Sequence, residues 1–195
     1  WTSTTISVIY NGFSGSRYSL TMNEDSDFNG DGQKGNSLLY IPTEAEMDNM
    51  NFVDYKDKKT GKLIMSAADS RKAFTEWVNN DDYAKNHRGQ YAVRNSNLSN
   101  WEHEIDLHLA QTIYNAQGLG KLEFTFDIIN FANMLNKKWG ASYSSAYNLS
   151  PLTVVNLNTD DDGNVTPGYA FNNAKINKSD ISSRWHAQVG IRLTF

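Results

Sequence analysis

The segment from Trp185 to Phe195 alternates strictly between apolar and polar side chains, and this alternation restricts what the chain can fold into. Its odd-numbered residues are apolar, and its even-numbered residues are polar or glycine. The pattern predicts a β-strand with two different faces. At ~3.3 Å per residue the strand spans roughly 33 Å, and a tilt of ~40° gives a height of about 25 Å, that of the lipid-facing band of an outer-membrane barrel. A soluble sheet with one wet face fits the same pattern, so alternation alone leaves both architectures open.

Similar alternation predicts three further strands, near residues 5–20, 101–114 and 121–131. The first contains the glycine-rich run 11–16, which predicts a bend or bulge within one long strand. In the second and third strands the acidic side chains share one face and the large apolar side chains share the other. A short turn, 115–120, separates these two strands.

Two long polar connections, 23–98 and 132–184, separate the remaining strands. A soluble sandwich would show a turn signal every ~8–12 residues. Short turns on one side of a sheet and long loops on the other are typical of membrane barrels.

Each long connection is predicted to hold structure of its own. Apolar residues at helical spacing predict a helix over Ser66–Val78, with Ser66 or Ser70 as its N-cap. The second connection is predicted to contain a hairpin of Ser142–Tyr147 with Thr153–Leu157.

Composition excludes several classes of function. The 195 residues include 18 Lys and Arg against 22 Asp and Glu, a net charge of −4, which argues against a nucleic-acid partner. The chain has no cysteine and therefore neither disulfides nor thiolate chemistry. It also contains no apolar run close to the ~20 residues that a spanning helix needs.

The row of ionisable side chains near residue 105 does not predict catalysis. His103 and His108 lie five residues apart, so in a strand they face opposite sides. We interpret Glu102, Glu104, Asp106 and His108 as a hydrated wall. No Ser/His/Asp set follows from the spacing, and we predict that the protein is not an enzyme.

Acidic loops provide the candidate metal sites. Oxygen ligands alternate at Asp25, Asp27, Asn29 and Asp31, with Gly30 and Gly32 for a sharp turn, which is the arrangement of a calcium loop. The twelfth position lacks the bidentate Glu of an EF-hand in either register, so an Asx turn without metal is the alternative. The run 160–164 is a weaker candidate for the same chemistry and is better interpreted as a solvated turn.

Four aromatic residues could stack on a sugar or a peptide: Trp77, Tyr83, Tyr91 and Trp101. Such residues more often form the core of a loop or an interfacial girdle.

Several motifs, taken together, resemble the C-terminal end of TonB-dependent outer-membrane transporters of the SusC-like and Oar-like kind found in Bacteroidetes. They are Asn-Gly-Phe-Ser-Gly at 11–15, Asp-Phe-Asn-Gly-Asp-Gly at 27–32, Leu-Tyr-Ile-Pro at 39–42, Arg-Gly-Gln-Tyr-Ala-Val-Arg-Asn at 88–95 with Trp101, Asp-Ile-Ile-Asn-Phe at 127–131 with Leu-Asn at 135–136, and the closing Phe195. They follow the family's order over nearly the whole chain.

The resemblance implies an all-β fold in which antiparallel strands form the C-terminal part of a transmembrane β-barrel, with long extracellular loops carrying a short helix. The chain would supply the last four strands of a barrel of about 22 strands that closes around a plug domain. With the C-terminus on the periplasmic side, turn 115–120 lies in the periplasm and loops 23–98 and 132–184 lie outside the cell. We expect the chain to be a fragment of a longer protein.

The expected function is that of an outer-membrane importer or receptor for a nutrient such as a glycan or peptide. The expected partners are outer-membrane lipid, the rest of the barrel with its plug domain, the TonB complex through a missing N-terminal part, and a surface lipoprotein. The expected cofactor is calcium alone. The alternative is a soluble or cell-surface β-rich ligand-binding module, in which Leu107, Phe124 and Ile191 would be buried under a second layer.

Overall fold

The structure is a computed structural model that describes residues 1–23, 27, 30–114, 118, 120–143 and 147–195. It is mostly β, with 47% strand and 16% helix, as the alternation predicted. The chain divides into two compact units. Unit 1 contains Trp1–Gly15, Ser99–Ser145 and Ile176–Phe195, and unit 2 contains Ser16–Leu98 and Ala146–Lys175.

The strands and helices follow one another along the chain as follows. They are β1 (Thr2–Phe13), β2 (Arg17–Asn23), β3 (Tyr40–Ile41), α1 (Glu44–Asn49), β4 (Tyr55–Lys56), β5 (Leu63–Met65), α2 (Ala67–Asn80), β6 (Gln90–Tyr91), β7 (Asn97–Leu98), β8 (Glu102–Tyr114), β9 (Lys121–Ile129), α3 (Phe131–Leu135), β10 (Ser142–Tyr143), β11 (Asn148–Thr159), β12 (Val165–Phe171), β13 (Lys178–Ser179) and β14 (His186–Thr194), with a 3-10 turn at Ala84–Asn86.

Unit 1 is built on an antiparallel sheet with the strand order β1-β8-β9-β14. The four strands occur in the sheet in the same order as in the chain. Within the described residues β1 and β14 are open edges, and the sheet does not close on itself.

The single long strand predicted near residues 5–20 is wrong, because β1 ends at Phe13 and β2 begins at Arg17 in the other unit. The break coincides with Gly15. A Cβ at this position would lie 1.7 Å from Ser99 Oγ and 2.6 Å from the carbonyl oxygen of Asn100. The two chain segments approach so closely that only glycine fits there.

Unit 2 contains a second four-stranded sheet, with the order β12-β11-β2-β7. The pair β11–β2 is parallel, whereas the strands predicted to belong to a barrel, β1, β8, β9 and β14, pair antiparallel. The long stretch of chain between β2 and β11 provides the crossover that parallel strands require.

The hairpin predicted for Ser142–Tyr147 with Thr153–Leu157 is also wrong. β10 pairs with β13, and β11 instead forms a hairpin with β12. The sequence did not predict β12, because Pro167 and Gly168 are both unfavourable within a strand. The pairing accommodates them with a register shift between Val154 and Asn156.

The predicted helix is confirmed as α2. Ser66 is its N-cap, and its side chain accepts a hydrogen bond from the Asp69 amide at 3.1 Å. Phe74 and Val78 are fully buried and belong to the core of unit 2. The largest side chains of that core are Leu20, Leu39, Ile41, Phe74, Val78 and Leu152.

A capping box that the sequence interpretation missed begins α1. The Thr43 side chain accepts a hydrogen bond from the Glu46 amide, and the Glu46 carboxylate accepts one from the Thr43 amide at 2.8 Å. The Thr-x-x-Glu signature after Pro42 is the signal that could have found it. None of the helices in the described residues is both long and apolar enough to cross a membrane.

Candidate functional site

The sheet of unit 1 has one apolar face that runs across all four strands. The register places matching residues of β1, β8, β9 and β14 in rows. Those rows are Val8–Leu107–Ile128–Ala187, Ile6–Leu109–Phe126–Val189, Thr4–Gln111–Phe124–Ile191 and Thr2–Ile113–Leu122–Leu193. The apolar residues that alternate along each strand therefore all lie on the same face of the sheet.

Much of this apolar face is uncovered. Val189 is 73% exposed, Ile191 70%, Ile6 67% and Val8 65%. In the middle of the sheet Phe124 remains 40% exposed, although Leu107 is half-buried and Ile128 is buried. Soluble monomers rarely expose a contiguous apolar surface of this kind.

Aromatic side chains flank the apolar face at the end where β8 begins. Tyr10, Trp101 and Trp185 are exposed there. The Tyr10 hydroxyl lies 2.7 Å from His103 Nδ1, and the Trp101 ring stacks on the His103 ring with 6.1 Å between centroids. Amphipathic rings in such a position are suited to the boundary between an apolar layer and water.

The opposite face of the same sheet is polar. One row places Ser7, His108, Asp127 and Gln188 side by side. His108 Nδ1 lies 2.5 Å from Asp127 Oδ1. Both side chains are only partly exposed, so this hydrogen bond is partly shielded from solvent.

A second polar group on this face surrounds Glu123. Its carboxylate accepts a hydrogen bond from Thr112 Oγ1 at 3.2 Å and lies 3.1 Å from Lys121 Nζ. Arg192 Nη1 lies 3.7 Å away on the next strand. The charges of this face are therefore matched across strands, which suits a hydrated wall.

The row that contains Ser7, His108 and Asp127 has the residue types of a hydrolytic triad. His108 bonds to Asp127, and the described residues contain no hydrogen bond between Ser7 and His108. Sequence spacing could not bring these residues together, because each belongs to a different strand.

Two members of the acidic row that we interpreted as a hydrated wall accept hydrogen bonds from the backbone of neighbouring segments. The Asp106 carboxylate accepts the Asn130 amide at 2.8 Å, and the Glu102 carboxylate accepts the Tyr143 amide at 2.9 Å. Asn130 has a φ of 55°, and its side-chain amide donates to the carbonyl oxygens of Gly140 and Ser183 at 2.8 and 3.0 Å. This network ends β9 and begins α3.

Half of the predicted calcium ligands lie in the described part of the chain. Asp25 and Asn29 lie outside the described residues. Asp27 accepts hydrogen bonds from the Asp31 amide at 3.1 Å and the Gly32 amide at 2.8 Å, so its carboxylate closes the turn. Each carboxylate oxygen has a second lone pair, so these two bonds do not exhaust its capacity as an acceptor.

The glycines of this loop have the geometry that the calcium prediction requires. Gly30 and Gly32 have φ values of 70° and 81°. Among the described residues no group of three or more His, Cys, Asp or Glu side chains converges on one point. The calcium site remains a prediction.

The run 160–164 forms the turn between β11 and β12. Asp160 accepts hydrogen bonds from the amides of Asp162 and Asn164 at 3.0 and 2.8 Å. Hydrogen bonds from Asn164 lower the pKa of the Asp160 carboxyl below its ordinary value. The interpretation of this run as a turn is confirmed.

A cleft of about 510 Å³ lies within unit 2. Its lining residues are Met22, Ser37, Leu38, Tyr91, Arg94, Val154, Pro167 and Tyr169. Of the four aromatic residues that could form a stacking surface, Tyr91 alone is among the described lining residues of this cleft. Trp77 stacks on Phe74 with 6.1 Å between centroids, and the Tyr83 hydroxyl accepts the Val93 amide at 2.8 Å. Trp101 belongs to unit 1.

Comparisons with protein-family models, with curated proteins and with solved structures gave no match.

Proposed function

We propose that the chain is the C-terminal barrel segment of a TonB-dependent outer-membrane importer for a nutrient such as a glycan or peptide. The observation that supports it most directly is the exposed apolar face of the sheet in unit 1. Side chains such as Val189 and Ile191 are more than two-thirds exposed. Lipid would cover them without any second protein layer.

The lengths and order of the strands support the same proposal. β1 has 12 residues, β8 has 13, and β9 and β14 have 9 each. A tilted strand needs about 9–11 residues to cross the hydrocarbon layer. Antiparallel neighbours in chain order are the arrangement of an outer-membrane barrel, and the open edges of β1 and β14 would pair with the rest of it.

The polar face then has a role as part of the lumen wall. His108 with Asp127, and Glu123 with its cationic neighbours, would line a hydrated interior around the plug. Nothing in this segment would perform chemistry. Energy for import would come from the TonB complex through the N-terminal part, and the long loops 23–98 and 132–184 would meet the nutrient, with a surface lipoprotein as partner.

The alternative, a soluble or cell-surface binding module, requires a second layer over the apolar face. Leu107, Phe124 and Ile191 would then be buried, whereas Phe124 and Ile191 are exposed and Leu107 is half-buried. The cleft in unit 2 is compatible with either function.

The absence of cysteine makes a direct test of the membrane proposal simple. Single cysteines at Ile191 and Gln188, on opposite faces of β14, would carry a spin label in the full-length protein in outer-membrane vesicles. We expect the label at Ile191→Cys to collide with dissolved oxygen and to be shielded from a water-soluble nickel chelate. The label at Gln188→Cys should show the reverse preference. Equal access of the nickel chelate to both labels would contradict the proposal.

A further inference from the structure

The described lining residues of the cleft in unit 2 are largely apolar and include a single cation. Met22, Leu38, Val154 and Pro167 provide the apolar walls, and Arg94 provides the cation. None of the lining residues that the structure describes is a carboxylate. A volume of about 510 Å³ falls within the range of small-molecule sites, ~300–1,000 Å³.

Arg94 forms no hydrogen bond or ion pair with any residue that the structure describes, although the chain carries an excess of acidic residues. The other arginines of unit 2 differ from it in this respect. Arg71 donates to the carbonyl oxygens of Met47 and Met50, and Arg88 donates to Pro42 and Asn79. The guanidinium of Arg94 is therefore available for an anionic ligand, and its planar fork matches a carboxylate.

Two tyrosine rings line the same cleft. Tyr91 is 65% exposed, and Tyr169 is half-buried. Burial raises the pKa of the Tyr169 phenol, and the nearby Tyr91 raises it further. Faces of such rings stack on planar groups.

The positions of these rings are fixed by neighbours. Tyr91 pairs with Tyr40 across the β3–β6 ladder, with ring centroids 5.2 Å apart, and the Tyr40 hydroxyl donates to Glu46 at 2.9 Å. The backbone of Tyr169 is held by hydrogen bonds to Asn51 and from Val53, at 2.8 and 2.9 Å. A site whose walls are already ordered loses little entropy when a ligand binds.

We propose that this cleft binds a planar aromatic carboxylate, with its ring against Tyr91 and Tyr169 and its carboxylate on Arg94. The ligand is a free aromatic acid or the C-terminal aromatic residue of a peptide, which share this chemistry. The proposal concerns unit 2 alone and holds whether or not the sheet of unit 1 lies in a membrane.

The test compares an acid with its neutral amide on the whole chain in detergent micelles. Indole-3-acetate and indole-3-acetamide have the same ring and differ in charge, and Gly-Gly-Trp with its C-terminal amide repeats the comparison for a peptide. Titration calorimetry should show that at least one acid binds about tenfold or more tightly than its amide, since the charge-assisted bond to Arg94 is lost in the amide. The pair that shows this difference identifies the source of the ligand.

Variants assign the effect to residues. Arg94→Gln should remove the difference between acid and amide, and Tyr91→Ala should weaken both probes. Lys72→Gln is the matched control, because Lys72 is an exposed cation of α2 that does not line the cleft, and it should bind as the wild type does.

Equal binding of acid and amide by the wild type would overturn the proposal. So would the absence of any binding at millimolar probe, or the same loss in Arg94→Gln and Lys72→Gln. The comparison of acid with amide on the wild type needs no variant to fold and decides the proposal by itself.

Discussion

Asn130 adopts left-handed backbone geometry with a φ of 55° and links three chain segments of unit 1 through hydrogen bonds. Gly140, one of its partners, also has a positive φ, of 57°. A Cβ on Gly140 would lie 1.8 Å from Asn130 Oδ1. Glycine is therefore required at position 140 for two reasons, the positive φ and the lack of space for a Cβ.

Gly140→Ala should destabilise unit 1 by about 2–3 kcal/mol, because alanine is strained at positive φ and its methyl group displaces the Asn130 side chain from its hydrogen bonds. Denaturant titration of the chain would measure the change in unfolding free energy. Gly118→Ala is the control, since Gly118 has a φ of 81° but no atom of the described residues within 4 Å of the place that a methyl group would take. This variant should cost only the backbone strain. Equal losses in both variants would refute the packing argument.

Glu46 gives α1 a dependence on pH. Hydrogen bonds from the Thr43 amide, the Thr43 hydroxyl and Tyr40 lower the pKa of this carboxyl in the folded state. A lowered folded pKa means that the contribution is fully present above the unfolded value near 4.5 and is lost as the pH falls through the folded pKa.

Hydrogen exchange at the amides of α1, followed from pH 6 downward at constant intrinsic rate, should therefore show protection that decreases only in the acid range below about pH 4.5. The Glu46→Gln variant keeps an acceptor but has no titrating group. Its α1 protection should be lower at neutral pH and should not change with pH, and a wild-type profile in that variant would contradict the role of Glu46.

The two faces of strand β14 have different neighbours, apolar side chains on one face and polar side chains on the other. Ile191 belongs to the row of Thr4, Gln111 and Phe124, whereas Gln188 lies beside Asp127 on the polar face. If lipid covers the first face, a charge there has to be desolvated, whereas on the second face it stays in water.

Ile191→Arg should destabilise the membrane-inserted protein by roughly 2–4 kcal/mol, and Gln188→Arg should be much milder. Denaturant unfolding in lipid vesicles measures both. Asp106→Arg would not serve as a second polar-face variant, because Asp106 accepts a hydrogen bond from the Asn130 amide at 2.8 Å and its replacement would break that bond. Similar costs at Ile191 and Gln188 would indicate that β14 does not lie in a membrane.

The loop between β2 and β3 carries the calcium prediction. Asp27 and Asp31 already accept backbone amides, and the left-handed glycines set the turn. We expect weak binding, with a dissociation constant of ~10⁻⁴–10⁻³ M, because no Glu completes the loop. Calorimetry should detect this heat in the wild type and lose it in Asp27→Ala with Asp31→Ala. The control is Asp160→Ala, and no heat at millimolar calcium would leave the loop as an Asx turn.

Across the molecule, the two units differ in how their apolar side chains are covered. Unit 2 buries Leu20, Leu39 and Phe74 completely, whereas unit 1 leaves large side chains of β1 and β14 exposed. The apolar burial that stabilises unit 2 is therefore internal to it, whereas much of the apolar face of unit 1 is not buried by the described residues.

Transfer of the chain from detergent to aqueous buffer should then reduce hydrogen-exchange protection in β1, β8, β9 and β14 and leave it largely unchanged around α2 and β11. Mass spectrometry of peptides from each region would measure this. Equal protection of both units in water would show that the sheet of unit 1 needs no apolar cover.

The local features of this chain could be predicted from consecutive residues alone. Alternation predicted β8, β9 and β14 within one or two residues of their ends, and helical spacing with Ser66 predicted α2. These signals are local, because strand and helix periods appear in consecutive residues. Thr-x-x-Glu at 43–46 was equally readable and was overlooked.

Contacts between distant residues became visible only in the folded chain. Four features depend on residues that are distant in the chain. They are the contact of Gly15 with Ser99, the parallel pair β2–β11, the hydrogen bond of His108 with Asp127, and the cleft of Tyr91, Arg94 and Tyr169. Such contacts depend on register and crossover, and strand periodicity is the same for a parallel and an antiparallel neighbour. The residue pattern therefore establishes what each segment is, and the fold establishes what each segment touches.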